Sequence, residues 1–235
     1  QWLLAGVLLA GGVTNPLPEF VLPFAKLRSA SWFDWVAVSL FIAAFLVCLP
    51  PAVAPLRADL ATYRANEAFA VGDLQTAGEE VLQAIHFQPR NGSYASNMAL
   101  VYAESGLPEL SFREYERASA LLPGNHLVAI ATARAAMTLN RPEVAQRWYE
   151  RALSNAPHGS LVIAESANFF AQFGDPGRAF ELLDTFESLR SLDAQAWLMA
   201  RDGYTALGDQ VRADHADLCA YGGYFVAPEV CWPED

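Results

Sequence analysis

The apolar residues follow two different patterns along this chain of 235 residues. Near the N-terminus they form a run without a polar face, and no charged residue occurs from Trp35 to Leu56. From about residue 58 onward, small and aromatic residues recur at helical spacing between glycines, asparagines and prolines. The predicted helix 74–87 shows this spacing at i, i+4, i+7 and i+8, where one apolar face contains Ala77, Val81, Ala84 and Ile85.

The second pattern recurs with a constant step along the chain. Turn residues recur at Gly72, Gly106, Asn140, Gly174 and Gly208. Small residues recur at Ala77, Ser111, Ala145, Ala179 and Ala213, and prolines recur at Pro89, Pro123 and Pro157. Glycine and asparagine suit a tight turn between helices, and small residues let two helices cross closely. The step is about 34 residues, a period typical of a two-helix repeat. The sequence therefore predicts an all-α solenoid over 57–217 with about four and a half to five helix-turn-helix repeats.

The last repeats depart from the pattern. Phe186 stands where the earlier repeats have alanine, and no proline occurs near Ser191. A fifth repeat begins near Trp197 and breaks down after Asp217, leaving 218–235 as a C-terminal tail. These departures predict that the far end of the solenoid is closed differently from its beginning, because the end of a repeat stack must be capped.

The repeats resemble the tetratricopeptide repeat family. That family has a small residue at position 8, an aromatic at 11, glycine at 15, alanine at 20, an aromatic at 24, alanine at 27 and proline at 32. Counted from residue 58, the second repeat matches at Ala99, Tyr102, Gly106, Tyr115, Ala118 and Pro123. The resemblance extends over 58–217. It implies antiparallel helix pairs stacked into a right-handed superhelix, in which the first helix of each pair lines a concave face.

The resemblance also implies that the concave face binds an extended peptide or a protein surface. Position 9 of the first helices, with its neighbours, supplies the candidate partner-binding residues Asn66, Asn97, Arg134, Asn168, Gln172 and Asp202. Asn66 and Asn97 match the asparagines with which some family members clamp a C-terminal carboxylate. Thr62 stands at the first lysine position of that clamp, which argues against recognition of a chaperone tail.

The apolar N-terminal segment, 1–56, predicts a membrane segment. A helix over about 32–50 would be roughly 28 Å long at 1.5 Å per residue, close to the thickness of the hydrocarbon layer. Pro50 and Pro51 are expected to end or kink it. Residues 2–13 are apolar but too short to span, so they predict a partial second span or a re-entrant segment. Lys26 and Arg28 flank the predicted span on its N-terminal side, which favours a periplasmic solenoid.

The formal net charge of −11 belongs entirely to residues 57–235, because the four charged residues before them cancel. Without a basic face the chain is not expected to bind nucleic acid. It contains no phosphate-binding loop, nucleophile elbow or zinc-protease motif, and its four histidines are scattered. We therefore expect neither an enzyme nor a cofactor or metal. Cys219 and Cys231 are expected to form a disulfide in an oxidising compartment, with two free thiols as the alternative.

Together these features predict a membrane-anchored adaptor of a bacterial inner membrane. Its expected partners are lipid and a protein partner, such as a subunit of a larger membrane complex. An alternative is that the chain is the non-catalytic C-terminal end of a glycosyl-transfer protein similar to O-antigen polymerases or ligases, with the chemistry upstream of Gln1. Several spans upstream in the open reading frame would favour that alternative. A third interpretation, a soluble chaperone adaptor, requires residues 32–56 to be core.

Overall fold

A computed structural model describes residues 32–222 and 231, without the side chains of residues 33, 34, 47–51 and 222. The chain divides into two compact units, Gln1–Ala52 and Val53–Asp235. The predicted segment 2–13 and most of the predicted tail 218–235 lie outside the described residues.

The described residues form a succession of α-helices whose order matches the predicted repeats. Their bounds are α1 Trp32–Ala70, α2 Leu74–Phe87, α3 Gly92–Glu104, α4 Pro108–Leu121, α5 His126–Thr138, α6 Pro142–Asn155, α7 Ser160–Phe173, α8 Pro176–Ser188, α9 Ala194–Ala206 and α10 Gln210–Gly222. Odd-numbered helices are the first helices of the repeats, and even-numbered helices are the second. The prediction of an all-α solenoid is confirmed.

Each turn between the two helices of a repeat contains one residue in the left-handed region. The φ angles are +79° at Gly72, +72° at Gly106, 54° at Asn140, +112° at Gly174 and +78° at Gly208. Side chains with a Cβ rarely adopt this conformation, and asparagine is among the residues that tolerate it best. The regular recurrence of glycine and asparagine along the sequence therefore has a backbone cause.

Helix starts repeat with the same step. Pro108, Pro142 and Pro176 each begin a second helix, where the missing N–H costs nothing. Asn91 and Asn125 precede first helices, and the side-chain oxygen of each accepts a hydrogen bond from the backbone N–H two residues later, at 3.0 Å. These caps fix the entry of the chain into each repeat.

The small residues predicted at helix crossings are buried. Ala77, Ala145 and Ala179 have no exposed surface, and Ser111 is 2% exposed. A large hydrophobic core cluster runs from α3 to α10, while the first repeat contributes several smaller clusters built mainly of alanine with a few larger residues. Packing of small side chains thus holds the early repeats together.

The junction between the fourth and fifth repeats differs from the earlier ones. In the earlier junctions the second helix of one repeat packs on the first helix of the next, as α4 does on α5. In the last junction α9 packs mainly along α7 and only slightly against α8. A Cβ on Gly203 would lie 3.4 Å from the Cα of Asn168, so no side chain separates the two backbones there.

Helix α1 continues past Pro50 and Pro51, where the sequence predicts an end or a kink. A proline removes one backbone donor, and the residues that follow it retain their own hydrogen bonds. Within the described residues, no helix combines the length and the apolar character that crossing a bilayer requires. Part of the predicted span 32–50 has side chains outside the described set.

Candidate functional site

The predicted partner-binding residues lie on successive first helices of the solenoid. We call these residues, together with Leu100, the first-helix row: Asn66, Asn97, Leu100, Arg134, Asn168, Gln172 and Asp202. Asn66, Leu100, Arg134 and Gln172 are exposed, while Asn97, Asn168 and Asp202 are partly buried. The row is therefore accessible, but the structure does not gather it into one site.

A small cavity lies beside the row, between α1, α2 and α3. It has a volume of about 40 Å³, and its lining includes Asn66, Asn97 and Leu100. Each asparagine offers both a donor and an acceptor, so the pair can hydrogen-bond a peptide backbone without reading its sequence. The volume itself suits about one water molecule, and the two carboxamides are its main polar groups.

A larger cavity lies beside it between α3, α4 and α5. Its volume is about 510 Å³, within the range of about 300–1,000 Å³ typical of ligand pockets. It is lined by Leu100, Ala103, Gly106, Pro108, Ser111, Tyr115, Ala131, Arg134, Ala135 and Thr138. Leu100 belongs to both cavities, so the two adjoin along the first-helix row.

Arg134 is not available as a free cation. Its Nε donates to Glu165 Oε1 at 2.6 Å, and a second guanidinium nitrogen donates to Glu165 Oε2. Glu165 is 5% exposed and also accepts a hydrogen bond from the Tyr149 hydroxyl at 3.2 Å. The bond to Glu165 raises the pKa of Arg134, and burial, with the charge of Glu165, raises the pKa of Tyr149. Glu165 lies outside the first-helix row, is buried, and neutralises Arg134.

Asn168, Gln172 and Asp202 of the row have hydrogen-bond partners within the chain. Gln172 donates to Asn168 at 2.7 Å, which occupies one donor and one acceptor of the pair. Asp202 accepts from Arg201 at 2.7 Å, and Arg201 also donates to Asp217 at 2.8 Å. These pairs leave few hydrogen-bonding groups for a ligand in the last two repeats.

Ser111 is a residue of the larger cavity that sequence reasoning did not assign to binding. Its Oγ is buried and has no hydrogen-bond partner, although most buried polar atoms are paired. At the equivalent position the other repeats have alanine, as at Ala77 and Ala145. This serine in place of alanine is the feature of the sequence from which Ser111 could have been identified as a candidate. Nearby, burial raises the pKa of Tyr115.

At the end of α10, Cys219 and Cys231 are bonded through their sulfur atoms, with Cα atoms 5.6 Å apart. Cys219 is 3% exposed and belongs to the large core cluster, against which Cys231 packs. In the described part of the chain, no group of three or more histidine, cysteine, aspartate or glutamate side chains is placed to hold a metal ion.

Several solved structures are similar to this chain in fold. PilW, a widely conserved type IV pilus biogenesis factor, is 19% identical with a TM-score of 0.58, over 81% of this chain and 87% of PilW. A tetratricopeptide repeat protein from Parabacteroides merdae is 16% identical with a TM-score of 0.58, over 72% of this chain and 71% of that protein. MamA from Desulfovibrio magneticus is 10% identical with a TM-score of 0.56, over 70% of this chain and 93% of MamA.

No protein-family model matches the sequence, and no curated protein is significantly similar to it. At these low identities the structural likeness establishes the fold alone. The chain therefore has the fold of tetratricopeptide repeat proteins, and its function has to be argued from its own residues.

Proposed function

We propose that the chain is a scaffold that binds a segment of a protein partner along the first-helix row of repeats one to three. The observation that carries this proposal is the pair of adjoining cavities that share Leu100. One offers two carboxamides and the other an apolar volume, which together suit an extended segment with alternating backbone and side-chain contacts. PilW is a pilus biogenesis factor by its description, and a role in assembling a larger complex agrees with this proposal.

The negative charge of the chain favours a neutral or basic partner. The formal net charge is −11, so an acidic partner or a nucleic acid would be repelled at low salt. Arg134 does not offset this, because Glu165 neutralises it. Partner affinity should therefore depend more on the cavities than on salt bridges.

We further propose that the N-terminal segment, 1–56, holds the scaffold at a bacterial inner membrane, with the repeats on the periplasmic side. Large apolar side chains of the first unit are exposed, for example Leu40 at 66% and Phe41 at 73%. Each would favour insertion by about 0.3–0.6 kcal/mol. Lys26 and Arg28 before the stretch, and the bonded Cys219 and Cys231, agree with the periplasmic side.

Two experiments test these proposals separately. Replacement of Leu100 by Glu places a charge between the two cavities and should abolish capture of the partner, because Leu100 is 41% exposed and its loss costs the core little. Charge reversal of Arg113, which is exposed on the second helix α4, is the matched control and should leave capture unchanged. For the membrane, alkaline carbonate washing should leave the chain in the pellet; its release would exclude the anchor.

A further inference from the structure

A cluster of three polar side chains is held at the junction between the third and fourth repeats. Glu165 on α7 is 5% exposed, and its carboxylate oxygens accept from Nε and a second guanidinium nitrogen of Arg134 on α5. The hydroxyl of Tyr149 on α6, a residue that is 4% exposed, donates to the same carboxylate at 3.2 Å. Side chains from three helices therefore fix the orientation of the Arg134 guanidinium.

The stacking of repeats does not require this cluster. The positions equivalent to Arg134, Tyr149 and Glu165 are uncharged at the neighbouring junctions. They are Leu100, Tyr115 and Ala131 before it, and Asn168, Leu183 and Met199 after it. Burying a carboxylate is costly, and apolar residues in place of a buried ion pair are often equally or more stabilising. The cluster is therefore better explained by the way it presents Arg134 than by stability.

Arg134 keeps unused donors beside the larger cavity. A guanidinium has five N–H donors, of which Glu165 accepts one from Nε and one from a terminal nitrogen. The other three have no acceptor among the described residues, and 52% of the side chain is exposed. Arg134 lines the cavity of about 510 Å³, and the other residues of that lining are uncharged. Donors of a fixed guanidinium thus border a mainly apolar volume.

The charges around Arg134 favour a neutral acceptor. Glu165 balances the charge of Arg134, and the whole chain carries a formal net charge of −11. A carboxylate that entered the cavity would lose hydration and meet this negative field. A neutral carbonyl oxygen avoids both costs and still accepts a hydrogen bond from arginine. Backbone carbonyls are neutral acceptors that every protein segment carries.

We propose that Arg134, held by Glu165 and Tyr149, donates hydrogen bonds to a backbone carbonyl of the partner segment, next to an apolar side chain that enters the larger cavity. This inference deepens the scaffold function and rests on it for the source of the carbonyl. Because the guanidinium is oriented before binding, little side-chain entropy is lost when the carbonyl arrives. Arg134 thus fixes where along the first-helix row the segment lies.

The direct test compares two ligands on the full chain. N-acetylleucinamide has two neutral carbonyls, whereas N-acetylleucine has a carboxylate at neutral pH in place of the terminal amide. In ligand-observed NMR the wild-type protein should bind the amide about threefold or more tightly than the acid, because the acid has to lose hydration. Tighter binding of N-acetylleucine, or no binding of the amide, would overturn the proposal.

A matched pair of variants locates the contact. Arg134→Lys keeps a cation beside Glu165 but lacks the planar guanidinium, so affinity for N-acetylleucinamide should fall about threefold to tenfold, the effect of one hydrogen bond. Arg113→Lys, at an exposed position of α4 outside the cavity, should bind like the wild type. In arginine side-chain NMR, the amide should shift the Arg134 resonances and leave those of Arg113 in place. Unchanged affinity in Arg134→Lys, or unmoved Arg134 resonances, would contradict the assignment.

A triple variant separates this contact from a purely structural role. Replacement of Arg134 by Leu, Tyr149 by Phe and Glu165 by Met removes the whole cluster and leaves no buried charge. This variant should melt no lower than the wild type, yet bind N-acetylleucinamide about threefold to tenfold more weakly. Wild-type affinity in the folded triple variant would overturn the proposal. If the triple variant does not fold, Arg134→Lys decides, because it leaves Glu165 paired.

Capture of the partner distinguishes failure of this inference from failure of the scaffold function. If Leu100→Glu abolishes capture while Arg134→Lys captures the partner and binds the amide at wild-type strength, the scaffold function stands and the carbonyl contact is wrong. If Arg134→Lys weakens binding of the amide while Leu100→Glu still captures the partner, the carbonyl contact stands and binding of the partner along the row is wrong.

Discussion

Repeats one to three and repeats four and five use the same helical framework differently. In the first group the helix crossings are the small residues Ala77, Ser111 and Ala145, and the first helices border open cavities of about 40 and 510 Å³. In the second group Phe186 and Tyr204 have no exposed surface, and Trp197 is 2% exposed. Phe186 and Trp197 pack edge to face with ring centroids 4.8 Å apart, a favoured arrangement for aromatic pairs. The Trp197 indole N–H donates to the Ser191 carbonyl at 2.8 Å.

Repeats one to three therefore offer space for binding, and repeats four and five contribute stability through their packed core. Ala103, Ala131 and Ala135 leave the larger cavity of the early repeats open, whereas Phe186, Trp197 and Tyr204 fill space between the helices of the late repeats. In a quasi-one-dimensional stack, a stable terminal repeat can stabilise a less densely packed neighbouring repeat through the interface between them.

The strongest test of this comparison is to remove part of the aromatic core of repeats four and five. Phe186→Ala should lower the free energy of unfolding by about 3–5 kcal/mol, because a fully buried ring is lost and a cavity remains. Urea denaturation measures the loss, and hydrogen exchange should show it first in α7 to α9. Phe173→Ala is the control, since Phe173 is 48% exposed, and a loss as large there would contradict the special role of Phe186.

The disulfide bond between Cys219 and Cys231 should increase the stability of the C-terminal end of the repeats. The two cysteines are close in the sequence, with a separation of 12. Closing a loop this short is worth about 3 kcal/mol in the chain-entropy model. Replacement of both by serine should lower the melting temperature under oxidising conditions and remove its dependence on reductant. Mass spectrometry of the unreduced protein after thiol blocking should find neither cysteine alkylated; alkylation of both would exclude the bond.

One polar contact between the third and fourth repeats joins Arg134 and Glu165. Glu165→Gln leaves a half-exposed arginine without its anion and should cost about 1–2 kcal/mol, less than a fully buried pair because Arg134 reaches solvent. The exposed pair of Arg178 and Glu181 is the control, and Glu181→Gln should cost about 0–0.5 kcal/mol. Equal losses in the two variants would show that burial of Glu165 adds nothing.

A smaller effect is expected at alkaline pH. Burial first, and then the nearby carboxylates, raise the pKa of Tyr149 and Tyr204 above the ordinary value of 10.0. The folded state therefore holds the phenol protons more tightly than the unfolded state. The stability that this contributes is complete below pH 10 and is lost as the pH rises above it. Melting temperatures from pH 8 to 11.5 should fall only in the upper part of that range.

Much of the fold could be predicted from the sequence because its causes are local. A residue in the left-handed region is usually glycine or asparagine, so the turns at Gly72 and Asn140 can be identified from the sequence. The same holds for the buried alanines, because close helix crossings exclude larger side chains. The unusual end of the fourth repeat was also visible at Phe186, although not the way in which α9 would pack along α7.

The binding site was predicted less well because its causes are not local. Arg134 was predicted as a binding residue, but its pairing with Glu165 depends on how two repeats pack and which rotamers they allow. The unpaired hydroxyl of Ser111 depends on the absence of a neighbour, which no sequence spacing encodes. The first-helix row was predicted from the repeat register, and its role in binding stays a prediction.

The most direct test of the account is photo-crosslinking in intact cells, with a photoreactive residue placed at Leu100, at Asn66 or at the control position Arg113. The account predicts crosslinks to one discrete partner from Leu100 and Asn66 and none from Arg113, which lies exposed on a second helix. Crosslinks that form equally from all three positions, or only from Arg113, would contradict binding along the first helices.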